Sequence, residues 1–141
     1  MAFGWSTGDI VAAIQFVNKL ISCVGSAGGS REHFQELESE LGELERTLKA
    51  IDVLANEPGQ IPELIALKFV ACSCEDTLKR FYEKIKPFDE SLGVQSKKSK
   101  LKAAPRMVRW ELLIKKDIPE FRTYLLAHVG CLNLRLTTAL L

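Results

Sequence analysis

Strand signals are what this sequence most plainly lacks. Apart from short apolar clusters nothing alternates with period two, and no Asn-Gly or Asp-Gly pair marks a hairpin turn. An all-β or α/β fold is thereby excluded. Cysteine and histidine are sparse as well: Cys23, Cys72, Cys74 and Cys131 form no CxxC, and His33 and His128 stand far apart. Zinc sites draw four ligands from paired short spacings, and Cys72 and Cys74, two apart, point to different faces of a helix. The four thiols read as buried and free, in a reducing compartment, with no metal and no cofactor. Charge of one sign is missing too. The net charge of +1 and a pI near 7.7 name no partner on their own.

Enzyme signatures are also absent: there is no HExxH, no GxSxG, no P-loop and no dinucleotide fingerprint. "GSAGGS" at residues 25–30 is rich in glycine, but no strand leads into it and no Lys-Ser/Thr follows, so it reads as a connector. His128 falls on an apolar helical stripe, where a hydrogen-bonded core histidine is the natural reading. The chain is expected not to be an enzyme. No Lys or Arg precedes the first apolar run, as a secretion signal requires, and Ala2 stands where N-myristoylation needs Gly. A cytoplasmic protein is the expectation.

What the sequence does hold is apolar residues at helical spacing, 47% of the chain by composition. Ser6 and Asp9 predict the start of a helix running to about Val24 and stopping at Gly25. Ile10, Ile14, Val17, Ile21 and Val24 make its stripe, and Val11, Ala12, Ala13, Phe16 and Leu20 spread apolar surface over much of the rest. Asp9, Gln15, Asn18 and Lys19 interrupt it as a permanent membrane span. Ser30 is the expected cap of a second helix to about Asn56. Its seam, Phe34, Leu37, Leu41, Leu44, Leu48, Ile51 and Ala55, keeps three-four steps without a slip, with a glutamate-rich back that reads as a solvated face. Pro62 starts a third helix with Leu67, Ala71, Cys74, Leu78, Phe81, Ile85, Phe88 and Leu92 inward, kinked or ended near Pro87 and stopped by Gly93. Residues 94–104 form a basic linker. A short helix follows from Pro105 to Ile114, then a last one capped by Asp117, with Phe121, Tyr124, Leu125, His128, Leu132 and Leu136 inward. The pattern predicts an all-α fold: an antiparallel four-helix bundle with an additional short helix, one domain over residues 1–141. The final "LRLTTALL" carries no Gly or Pro stop, so the chain is expected to be the N-terminal part of a longer protein.

Lys97, Lys98, Lys100, Lys102, Arg106 and Arg109 concentrate positive charge beside Met107 and Trp110. Each such charge gains about 1 kcal/mol near an anionic leaflet, which makes these six residues candidates for lipid contact. Nucleic acid is a poorer match, because only Trp110 offers a stacking platform and the second helix is acidic.

The stretches "MAFGWSTGDIVAAIQFVNKLISCVG", "FQELESELGELERTLKAI" and "RWELLIKKDIPEFRTYLLAHVGCLNLRL" resemble the N-terminal helical domains of filamentous-fungal signalling proteins. Those domains precede STAND (NLR-type) modules, ankyrin arrays or ubiquitin-like domains and resemble the HeLo and HeLo-like group. The resemblance spans nearly the whole chain. It implies a helical bundle that oligomerises on activation, in programmed cell death, heterokaryon incompatibility or immunity, and sends an N-terminal apolar segment into the plasma membrane. The matching positions here are Ile10, Val11, Ile14, Phe16, Val17, Leu20, Ile21 and Val24. This start departs from the uncharged HeLo pattern at Asp9 and Lys19. The alternative expectation is a bundle without membrane activity that binds itself or another helical protein through the Phe34–Ile51 seam or the acidic face.

Overall fold

Asp9 opens the first helix by accepting the backbone N–H of Ala12 on its carboxylate at 3.1 Å, so the cap is Asp9 itself. In this computed structural model, which describes residues 9–28, 31–56, 59, 62–89 and 103–141, the helix α1 runs Ile10–Gly28. It does not stop at Gly25. The expected cap Ser6 lies outside the described residues, as do Ser30, Leu92 and Gly93. Among the described residues there is no strand, and the fold is all-α.

The second helix, α2, covers Glu32–Ala55, and Arg31 stands at its N-cap without a side-chain bond. The whole predicted seam is buried: Phe34 through Ile51 are 0% exposed. The expected third helix is two. The helices α3 (Pro62–Cys72) and α4 (Glu75–Ile85) are parted by a turn at Ser73–Cys74. There Ser73 Oγ donates to the Val70 carbonyl at 2.7 Å and Cys74 Sγ to the Ala71 carbonyl at 3.3 Å. Side chains that bond back three residues compete with the helical ladder, and two in succession end it. The inward stripe still crosses the break, because Ala71, Cys74 and Leu78 are all buried. Pro87 ends the α4 pattern as expected, inside a 3-10 turn at Lys86–Phe88.

The short helix α5 (Ala103–Leu112) does not separate from the last helix, α6 (Ile118–Leu140). A single π-helical stretch, Leu113–Asp117, joins them. Pro119 gives the reason: it offers no N–H, and its ring would crowd the carbonyl four residues back in an ordinary α-turn, which a wider turn relieves. Asp117 is therefore not a cap. It is buried at the joint and receives Lys84 Nζ at 3.3 Å.

The core lies where α1, α2, α4 and α6 face one another. α1 packs chiefly on α2 and touches α3 and α4, while α6 lies against α2 and α3. Phe81 and Phe121 stack at 4.1 Å between α4 and α6. Arg122 ties α6 to α2 by a fork on Glu40, at 2.8 and 2.9 Å, with a third bond to Glu36 at 3.3 Å. The glutamate-rich face of α2 is thus in part a structural clamp, not only a solvated back.

Candidate functional site

The feature with most functional content is α1 in its seat. Ile10, Ala13, Val17, Leu20, Cys23 and Val24 are buried, while Ile14, Phe16 and Ile21 are half-buried. Of the expected stripe Ile10, Val17 and Val24 are buried, while Ile14 and Ile21 are displaced to the flanks and Ala13, Leu20 and Cys23 complete the inner face. A wet stripe runs opposite: Val11, 52% exposed, with Gln15, Asn18, Lys19 and Ser22. On the α4 side Phe16 meets Tyr82 edge-on at 5.6 Å, and Lys19 Nζ lies 4.9 Å from the centre of the same ring.

Gln15, Asn18 and Lys19 interrupt this segment as expected, yet by length and composition it meets the measure of a span. Asp9 caps the helix from outside, which leaves Lys19 as the one charged residue within Ile10–Gly28. Its 19 residues, with a mean hydropathy of 1.5 over an 18-residue window, are long and apolar enough to cross a membrane. At 1.5 Å per residue that is about 28 Å, close to the hydrocarbon thickness of a bilayer. A core helix of a soluble protein meets the same measure. The connector at its end is tighter than its glycines imply: Gly25–Gly28 are helical, and Gly28 is pressed against the Phe34 ring so closely that a Cβ there would overlap it.

Of the six lipid-contact candidates, Lys97, Lys98, Lys100 and Lys102 lie outside the described residues. Arg109 is exposed on α5. Arg106 is engaged: its Nη1 donates to the Pro87 carbonyl at 2.9 Å and its guanidinium covers Phe88 at 4.8 Å. Trp110 is no free anchor either. It stacks on Phe34 at 5.5 Å, meets Phe88 edge-on at 5.0 Å, and carries Arg31 over its face. Met107 and Val108, each 67% exposed, and Leu112, 47% exposed, present apolar surface to water on α5. The seam Phe34, Leu37, Leu41, Leu44, Leu48 and Ile51 is consumed within the chain, so a partner reaches it only if the helices part.

Burial decides the ionisable groups. It pushes the Cys23 thiol up to about 12, aided by Asp89, and the Cys74 thiol to about 12 with Cys72 beside it. Both stay protonated at neutral pH and lack the thiolate that nucleophiles and metal ligands need. Cys72 is half-buried, and Cys131, expected to be buried, is exposed on α6 because its face turns away from the core stripe. His128 is buried, and desolvation lowers its pKa against the opposing pull of the Ala71 carbonyl, 3.3 Å from Nε2. Among the described residues no group of three His, Cys, Asp or Glu side chains converges to hold a metal.

The chain matches no family model, no curated protein and no solved structure.

The Arg122 fork and the Lys84–Asp117 pair escaped sequence reading. Both join residues more than thirty positions apart, and no short-range spacing announces such pairs.

Proposed function

We propose that this chain is a non-enzymatic cytoplasmic signalling domain of the HeLo-like kind, whose first helix is core at rest and a membrane segment after activation. In this reading α1, α2, the α3–α4 pair and α6 are the rods of an antiparallel four-helix bundle, with α5 as the additional short helix. The adjacency of α1 with α2, α2 with α6, and α4 with α1 fits that arrangement. The observation that carries the proposal is α1 itself: one helix, long and apolar enough for a bilayer, held against the others by side-chain packing. In water its release would expose apolar surface at about 25 cal/mol per Å², a cost that lipid or a second copy removes. Activation would then couple release to oligomerisation at the plasma membrane, in a cell-death or immune pathway. Anionic lipid would attract Arg109 and the lysines between 97 and 102.

The test uses the wet stripe, because substitutions there spare the core. Gln15→Lys with Ser22→Lys places two cations near the middle of α1, each costing about 2.5–3.5 kcal/mol at the centre of a bilayer. Both positions are exposed, so circular dichroism should not change. Dye release from vesicles of mixed anionic and neutral lipid should fall at least tenfold relative to the unmodified chain. Equal release by both, or none from the unmodified chain, refutes the membrane reading. A second reading, a bundle that binds another helical protein without touching lipid, is favoured by the exposed Leu126, Leu134 and Leu140 on α6.

A further inference from the structure

We infer that the groove between α3 and α6 seats a second copy of this chain across a two-fold axis. The groove has a volume of about 790 Å³ and an apolar floor at the buried Leu67, with the small side chains of Ala66 from α3 and of Cys131 and Ala139 from α6 around it. Beside that floor stands Leu134, 70% exposed, a large apolar knob on the same wall. Knob and hollow lie side by side on one surface. A two-fold interface is isologous, so each copy's knob enters the other's hollow without any second patch being needed.

Charge supplies the specificity. Glu63, in the first turn of α3, and Arg135, on α6, both line the groove, and among the described residues neither has an ion pair, with each other or with any third group. Turned face to face, two copies set each Glu63 against the partner copy's Arg135, twice over by symmetry. A foreign helix would meet the same apolar floor but would have to bring a matched carboxylate and guanidinium of its own. This chain already carries both. The use of such a pair, to bring two α1 helices to one membrane, rests on the reading above; the pairing does not, and it is tested without lipid.

Sedimentation velocity of the whole chain, at up to about 100 μM, should show a concentration-dependent dimer, since that range reports Kd values in the micromolar class. Leu134→Glu should be monomeric throughout. Glu63→Arg and Arg135→Glu should each weaken the dimer at least tenfold, because each creates two like-charge pairs. Mixing those two variants in equal amounts should restore association as a heterodimer, in which both cross-axis pairs are again of opposite sign. All three positions are exposed, and circular dichroism checks that each variant is folded. A monomer at the highest concentration, a dimer that survives Leu134→Glu, or a mixture that stays monomeric overturns the proposal. A failed leakage assay leaves it standing.

Discussion

A buried imidazole closes the end of α3. Where the helix breaks at Ser73–Cys74, the Ala71 carbonyl loses its intrahelical partner and would be an orphan in the core. Two side chains answer it: the Cys74 thiol at 3.3 Å and His128 Nε2 at 3.3 Å, reaching from α6. A carbonyl only accepts, so Nε2 carries the proton, and the ring lies flat against Tyr124 at 5.6 Å. Burial lowers the pKa of this histidine in the folded chain below its ordinary 6.5. The unfolded chain then binds the proton more tightly, so stability is complete above about 6.5 and declines as the pH falls toward the lower folded value. Thermal unfolding followed between about pH 7.5 and 5.5 should show Tm dropping with pH. His128→Gln should remove that slope while keeping an N–H donor. His128→Leu should cost about 1–3 kcal/mol at pH 7.5, leaving the carbonyl to a weak thiol donor alone. A Tm independent of pH across this window would show that the ring is not held in its neutral form.

Elements meet where the chain has little room, as at Gly28 at the end of α1. Gly28 is buried against the face of Phe34, and Phe34 is fully enclosed and stacked on Trp110. In an open helix, replacing Gly by Ala gains up to about 1 kcal/mol. Here the added methyl must push an aromatic ring that is itself pinned, so Gly28→Ala should destabilise by a net of about 1–3 kcal/mol in urea unfolding. An unchanged or higher midpoint would mean that the ring yields freely. This contact also shows which parts of the fold could be read from the sequence. Three-four steps reported every inward residue of α2 except Thr47, and most of those in α3, α4 and α6, because burial in a helix is periodic and the period is short. The breaks were not legible in the same way. Ala71-Cys74-Leu78 keeps the apolar rhythm while the side chains of Ser73 and Cys74 take over carbonyls, and ahead of Pro119 a wider turn joins two helices where one was expected to end and the next to start at an Asp117 cap. Asp117 looked like a cap because acids cap helices; with the chain continuous through the π-turn, it became a buried partner of Lys84 instead. On α1, residue size misled the reading of the inner face. Ile14 and Ile21 sit at its flanks, and the small Ala13 is buried.

For the molecule as a whole, how firmly α1 is seated matters more than total stability. If release of α1 is the switch, two variants of similar overall cost should differ in activity according to which helix they loosen. Tyr82 is a fair site for the first. It belongs to α4, it touches α1 through the edge of Phe16 and the ammonium of Lys19, and changing it leaves α1 chemically intact. Tyr82→Ala should weaken the seat by about 1–2 kcal/mol, the sum expected of one aromatic pair and one cation–π contact near the surface. The Arg122 fork provides the second, since it holds α6 to α2 and does not touch α1. Its removal in Arg122→Ala should cost about 1–2 kcal/mol, discounted for partial exposure. A loss of that size in the α1 seat alone raises the released population by a factor of about 5–30. Vesicle leakage at limiting protein should therefore rise severalfold for Tyr82→Ala and stay near the original level for Arg122→Ala, with urea midpoints lowered alike in both. Equal leakage from the two variants would assign the activity to general unfolding, and α1 would then be an ordinary core helix.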